Sequence, residues 1–448
     1  MNEPDTPNPL HEFATWAPLL SAAWRGVPAV LAGRVEHRQE QTFATVSAVD
    51  GRSAPQTRTI GPEVLAEDEI ILEARVDADG RAELDVIEHG PAFRDLTRGW
   101  PGHLLLLLID GAEPEPRRRT PVPAAVGPSP RADAALLERT LRARLGDFTG
   151  GADEARLAAA EARLGIALPA ELRTLMALVD HPFTAGPDPS WDEIEAHMKI
   201  ERHAEDAVGC ELFGLDGLFL ATADTRPGPW PFAAASTVGT APDKAVQPLV
   251  GSPGWIAFGS NGGDTYAVDL TPGPEGNLGQ VILLDHELEL GADLVADSLT
   301  DFVLGRRHPE AHTPNDGPPH LARATNQAQL DRAARPELQV LHLQGQSLSL
   351  AALRGLPRLR TITALNGSLA NPAELRHLDA LEYLELDPDH WRTLLAADAL
   401  PPALLAAGIY LSRDDDPVPA EAVARELLAR YGRPQRRKTR LAGELFPQ

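Results

Sequence analysis

The sequence predicts a multi-domain α+β chain that ends in a short repeat-built α/β solenoid, and three observations predict it. At 448 residues the chain exceeds what a single hydrophobic core usually organises. Residues 132–307 read as helices, then an antiparallel meander, then a helix. Beyond them an apolar pattern recurs at spacings of 21 and 22 residues.

Composition supports a folded chain and narrows its chemistry. With 43% hydrophobic and 24% charged residues, every segment can bury a core. Cys210 is the only cysteine, which excludes an internal disulfide framework and a metal site of several thiolates. A reducing compartment follows, and the expected location is the cytoplasm. The first residues, Met1-Asn2-Glu3-Pro4-Asp5, carry no basic and apolar leader, and the longest aliphatic run, 104–109, falls far short of the ~20 residues of a membrane helix. Lys199, Lys244 and Lys438 are the only lysines, an arginine-for-lysine bias that reads as a GC-rich bacterial genome.

The formal net charge of -24 opposes nucleic-acid binding, because phosphate contacts need Lys and Arg to release counterions. Charge is also concentrated. Residues 132–305 hold 28 Asp and Glu against 10 Lys and Arg, and residues 251–305 hold no Lys or Arg. Such a single-sign surface can steer a cationic partner, although acidic surfaces more often serve solubility alone.

In chain order, residues 1–125 read as an N-terminal α+β domain of unknown role. A helix is predicted around 13–24, strands over 35–49, 69–76 and 82–88, and a strand buried on both faces over 104–109. A proline-rich linker holding Arg117, Arg118 and Arg119 closes with residues 126–131. Residues 132–307 follow as the central domain. Helical spacing covers 136–145 and 153–164, with Leu157, Ala160 and Leu164 on one face, and Gly165 supplies a left-handed cap. Pro169 opens the next helix, whose stripe is Leu172, Leu175, Met176 and Val179. Strands are predicted at 255–258, 265–270 and 279–285, with a turn at Gly262 and Gly263, and an amphipathic helix over 294–304.

These residues, in this order, resemble the SUKH superfamily, which includes a fungal cell-wall-assembly regulator and many bacterial immunity proteins. The resemblance spans about 132–307. It is carried by Ala160-Glu161 through Leu164-Gly165 to Leu168-Pro169 and Leu172, and by Trp255 to Phe258-Gly259. It continues through Gly262-Gly263-Asp264 with Tyr266 and Asp269-Leu270, and through Gln280-Val281 to Asp285-His286-Glu287. One departure is Asp180-His181-Pro182, where members often carry Asn-Gly. The resemblance implies helices packed on an antiparallel sheet, and a non-catalytic recognition module.

A linker, 308–332, leads to a repeat domain, 333–412. Leu338, Leu341, Leu343 and Leu348 share offsets with Leu359, Ile362, Ala364 and Leu369, and again with Leu381, Leu384, Leu386 and Trp391. The pattern looks like leucine-rich repeats, in which stacked units bury what one unit cannot and present a strand face to solvent. A C-terminal helix and basic tail occupy 413–448.

Each candidate for chemistry has a plainer reading beside it. Glycines 259, 262 and 263 suggest an anion loop, but strand-like residues follow and supply no helix N-terminus, so a hairpin turn is expected. Asp285, His286 and Glu287 are acid/base residue types, but neighbours in a strand point to opposite faces and cannot converge on one atom. His308, Glu310, His312 and His320 lack the spacing of a helical metal motif, and Pro309 would break the helix. Cys210 lies beside nothing that would activate it, and Asp414 to Asp416 lack the spacing of a calcium loop. No catalytic, cofactor or metal residue is assigned. Trp255 reads as core, whereas Trp191 and Trp230 stand as candidate binding aromatics beside the acidic residues Asp264, Asp285, Glu287 and Glu289. Gly165, Pro169, Gly262, Gly263 and Asp269 are read as structural.

The expectation is a non-enzymatic protein-binding protein. By resemblance it is an immunity protein that neutralises a toxin, a basic one on charge grounds. The alternative is a regulatory scaffold joining two protein clients through the central and repeat domains.

Overall fold

The computed structural model describes the chain except for residues 1–8, 39–40, 50–55, 60–69, 89–91, 95–103, 147–149, 181–189, 227, 238–243, 309–319, 345–346, 366, 411–417, 436 and 447–448. It divides into two compact units. One comprises residues 1–112, 323–336 and 341–448, and the other 113–322 and 337–340. The spatial grouping therefore differs from the order of segments read along the sequence, because both ends of the chain enter the same unit.

The first unit holds an antiparallel sheet in the order Arg437–Glu444, Arg81–Glu88, Ile70–Val76, Ala29–Arg38, Gln41–Ala48, Gln56–Thr59. The single strand expected over 35–49 is two strands paired from Leu31↔Ala48 to Arg38↔Gln41. Arg38-Gln39-Glu40-Gln41 contains none of the Gly, Pro, Asn or Asp that would mark a reversal. The helix Phe13–Ala23 covers one sheet face, burying Trp16, Leu19 and Leu20 against Leu31, Val35, Ala44, Leu72, Leu84 and Val86. Each such side chain contributes about 1.5–3 kcal/mol by leaving water.

The segment read as a basic tail is the edge strand Arg437–Glu444, paired along its length with Arg81–Glu88. Its residues alternate: Thr439, Leu441 and Gly443 are half-buried, while Lys438, Arg440 and Glu444 are exposed. Lys438 and Arg440 reach Asp85 at 2.7 and 2.8 Å. Gly443 permits the strand to pass Phe13, whose ring would lie 2.1 Å from any added Cβ. Exposure at every second position from Lys438 to Glu444, three of the four exposed residues charged, hides a strand period of 2 behind a basic composition.

A second sheet runs, in spatial order, Leu321–Ala324, Val340–Leu343, Thr361–Ala364, Tyr383–Leu386, Ala406–Ile409, Leu104–Leu107, Phe93–Arg94. Thr361–Ala364, Tyr383–Leu386 and Ala406–Ile409 pair in parallel, Leu104–Leu107 joins Ala406–Ile409 antiparallel, and Phe93–Arg94 pairs antiparallel beyond it. All twelve residues that share offsets in the repeat, from Leu338 to Trp391, are buried. Val340, Thr361, Tyr383 and Ala406, which alternate onto the other sheet face, are buried as well. That face shows solvent only partly, at His342, Thr363 and Glu385.

The other unit is built on an antiparallel meander, Trp255–Ser260, Thr265–Asp269, Gln280–Leu284 and Asp293–Ala296. One face, with Ile256, Phe258, Tyr266, Val268 and Val281, packs under the helices Ala134–Leu145, Glu154–Leu164 and Ala170–Leu178. Leu137, Leu141, Leu157, Ala160, Leu172, Leu175 and Met176 supply the helical side of this core. Gly165 closes its helix with φ +71° in the left-handed region, and Pro169 stands at the N-cap of the next. On the opposite face Trp255, Ala257, Ala267, Ile282 and Leu284 pack with Ala221, Val246 and Leu249.

Two expectations are corrected. The amphipathic helix over 294–304 is a strand, Asp293–Ala296, then a short helix, Leu299–Val303, whose N-cap Ser298 accepts from Asp301 N. The 3.6-residue stripe ran through a cap signal that resets the backbone. The linker containing Arg117 to Arg119 is stitched to this unit. Arg117 donates to the carbonyls of Ala223 and Arg226, Arg119 to that of Pro248, and Gln247 exchanges bonds with Val122.

Candidate functional site

The described residues form a cleft with about 220 Å³ of space beside the hairpin that joins Trp255–Ser260 to Thr265–Asp269. Asn261 organises the hairpin turn: its Oδ1 accepts from the backbone N–H of Gly263 and Asp264, and its Nδ2 donates to Asp264 at 3.0 Å. Gly262 sits at φ +97°, where a side chain would be strained, so the glycine-rich stretch is the expected turn. Gly263 lies against the His286 ring, 3.3 Å from where a Cβ would stand.

Asp264 Oδ1 lies 2.7 Å from His286 Nδ1 and 3.1 Å from the His286 backbone N. Bonds from Asn261, then from His286, hold the Asp264 carboxyl below the usual aspartate range, and the Asp264 bond raises the His286 imidazole. The strand expected to reach residue 285 ends at Leu284, and Asp285 to Glu287 form a turn in which Asp285 Oδ1 accepts from Glu287 N at 2.7 Å. Asp285, His286 and Glu287 therefore do not alternate between two faces as strand neighbours would. The structure brings His286 to Asp264, and leaves Glu287 pointing into solvent. Oxygens of Asp264 and Asp285 and a nitrogen of His286 come within 4.8 Å of one another. Two of those donors already satisfy each other, and His286 is exposed.

Arg226 lines the cleft, and sequence reasoning passed over it. Its terminal nitrogens donate to four backbone carbonyls, of Val250 (2.7 Å), Gly291 (3.2 Å), Asp285 (3.0 Å) and Leu288. Burial lowers the pKa of its guanidinium, and Glu289 and Asp285 counter that. An arginine flanked by Thr225 and Pro227 carries no pattern to announce this role. Glu289 is half-buried beside Arg226, and burial raises its carboxyl.

Of the other candidates, Trp255 is fully buried as expected, and Asp269 is an internal strut. Asp269 accepts from Thr271 N at 2.7 Å, Thr271 Oγ1 at 3.2 Å and Gln280 Nε2 at 2.9 Å, and desolvation raises its pKa to about 6. Trp230 opens a short helix, Trp230–Ala235, with only 8% of its surface exposed, so its ring belongs to the interior. Trp191 is 82% exposed. It begins the long helix Trp191–Val208, announced by a capping box in which Ser190 and Glu193 bond reciprocally. That signal was present in the sequence as Ser190-x-x-Glu193.

Cys210 is buried, and desolvation pushes its thiol up to about 12, consistent with an apolar filler. His308 bonds Asp297 at 2.8 Å, whereas His320 contacts the Glu337 carbonyl. Glu310, His312 and Asp414 to Asp416 lie outside the described residues, as does most of the loop after Asp180. Asp180 itself is buried, accepting from Arg156 and from Leu215 N.

The fold and the cleft define a helix-on-antiparallel-sheet α+β domain with carboxylates gathered at one hairpin edge. Residues 151–305 match the model of the SMI1 / KNR4 family (SUKH-1). Within the chain, 68 residues are 43% identical to a KNR4/SMI1 homolog of Eremothecium gossypii, covering 15% of this chain and 10% of that protein. A KNR4/SMI1 homolog 2 of Debaryomyces hansenii is 37% identical over 67 residues, 14% of this chain and 11% of that protein. The chain thus spans about a tenth of the length of the curated relatives it matches. Among the described residues no helix is long and apolar enough to cross a membrane.

Proposed function

We propose that this protein works by binding other proteins through its SMI1/KNR4-type domain, without catalysis, and that its partner is basic. The observation that carries the reading is the helix Trp191–Val208. Only Ala204, Ala207 and Val208, in its last turns, are buried. Over residues 191–200 it exposes Trp191, Met198 (47%) and Ile200 (42%) among Asp192, Glu193 and Glu195, with Lys199 paired to Glu195 at 2.9 Å. Aromatic and apolar anchors on a helix that carries six acidic residues against two basic ones, Lys199 and Arg202, suit recognition of a basic surface. A toxin neutralised by an immunity protein is one such partner, and a nuclease has the required charge.

The test is recovery of partners by the full chain from its host at low and at physiological salt, with wild type beside Trp191→Ala. A basic protein held more tightly at low salt and lost from the variant supports the reading. Recovery of no protein at either salt, or equal recovery by the variant, would overturn it.

A second reading, a scaffold for two protein clients, is favoured by the parallel strands that repeat every 21 and 22 residues in the other unit, which we read as leucine-rich-repeat-like. Two different partners, one of them unaffected by Trp191→Ala, would select this reading.

A further inference from the structure

The cleft at the hairpin edge is two chemistries in one space. Phe219, Leu284 and Leu288 give it apolar walls, and Phe219 is braced by stacking on Phe213 at 6.0 Å. Asp285 and Glu289 line it with carboxylates, Thr225 and Thr265 add hydroxyls, and Arg226 and His286 also line it. Among the described residues nothing donates a hydrogen bond to Glu289; only the charges of Arg226 and Arg117 reach it.

Arg226 would make this an anion site only if its guanidinium had donors to spare. Four of the five N–H groups that a guanidinium carries are directed at backbone carbonyls. Its task is to hold the 285–291 turn against Val250. Residues 251–305 bring no other Lys or Arg to the cleft. An incoming carboxylate or phosphate would meet Asp285 and Glu289, with the Thr225 and Thr265 hydroxyls and the exposed His286, already bonded to Asp264, as the side-chain donors opposite it apart from the engaged Arg226. An incoming ammonium or guanidinium on an alkyl stem would match both the walls and the charge.

We infer that this cleft receives an arginine or lysine side chain of the partner protein, with its methylenes against Phe219, Leu284 and Leu288 and its cationic head between Asp285 and Glu289. The inference rests on the protein-binding reading and gives it a second anchor, on the sheet edge. Leu288, 53% exposed at the lip, is then a contact for the partner's stem.

The experiment is a nitrogen-resolved NMR titration of the full chain with N-acetyl-arginine amide, N-acetyl-lysine amide and the uncharged N-acetyl-citrulline amide. Saturable shifts at Gly263, Thr265 and Leu288 are expected with one or both cations and not with citrulline. Glu289→Gln, which keeps shape and removes charge, should weaken binding at least threefold, roughly what loss of one partly exposed ion pair removes. No saturable shift with either cation, or equal binding of citrulline, overturns the inference. If the probes fail while a basic partner is still recovered by wild type and by Glu289→Gln, the protein-binding reading stands and the cleft is not its site. If the probes bind but no protein is recovered, the cleft is a cation site and its assignment to a protein partner falls.

Discussion

Asp264 and His286, 22 residues apart, meet at 2.7 Å and join the hairpin turn to the turn that follows the third meander strand. Their hydrogen bond ties together the two sides of the cleft mouth. It also fixes how the site responds to pH. The His286 pKa is raised, so its share of stability is complete below the ordinary histidine value and fades as pH rises through the elevated folded value. The Asp264 pKa is lowered, so its share is present above the ordinary aspartate value and fades as pH falls through the depressed one. The pair is therefore strongest between about pH 4 and pH 6.5. In Asp264→Asn the His286 titration, followed by NMR of its ring protons, should fall toward the ordinary histidine midpoint. An unmoved midpoint would show that the bond does not form in solution.

Asp269 gives a prediction of opposite pH sense. Its carboxyl is desolvated to a pKa of about 6, so the folded protein holds the proton more tightly than the unfolded chain. Its contribution is largest below about pH 4 and declines until about pH 6, where it levels. Asp269→Ala also strands Thr271 N and Gln280 Nε2, at a cost of about 1–3 kcal/mol per buried donor. Urea unfolding of wild type and variant should show a difference that shrinks from pH 4 to pH 7. A difference independent of pH would count against the buried titration.

The C-terminal edge strand makes a third case. Leu445 is buried in the core of the first unit, and Arg437–Glu444 pairs with Arg81–Glu88 throughout. Leu445→Ala should cost about 2–5 kcal/mol. For a unit of this size that lowers the melting midpoint by roughly 5–15 °C. Removal of residues 437–448 should do more, since it leaves Arg81–Glu88 an unpaired edge prone to association. A truncated chain that melts at the wild-type temperature would mean that the segment is a solvated tail.

Local signals made much of this fold readable. The 21- and 22-residue period placed all twelve repeat positions from Leu338 to Trp391 in the interior, because each unit must bury the same face. Gly165 and Pro169 marked a helix end and start through φ and a missing N–H, which are properties of single residues. The glycines at 262 and 263 marked the hairpin for the same reason, and the order of motifs from Ala160 to Glu287 carried the family resemblance.

Tertiary structure alone decided the rest. That Arg437–Glu444 is a strand depends on a partner more than 340 residues earlier, and nothing in Arg437-Lys438-Thr439-Arg440 by itself requires one. Whether Trp191 and Trp230 face water or core is set by what packs over them, and the two came out opposite. The cleft exists because Arg226 gathers carbonyls from 250, 285, 288 and 291, and backbone carbonyls leave no trace in side-chain pattern. Periodicity and caps act over a few residues and are written in the sequence. Which distant segments share a hydrogen bond or exclude water from each other is settled only when the chain closes.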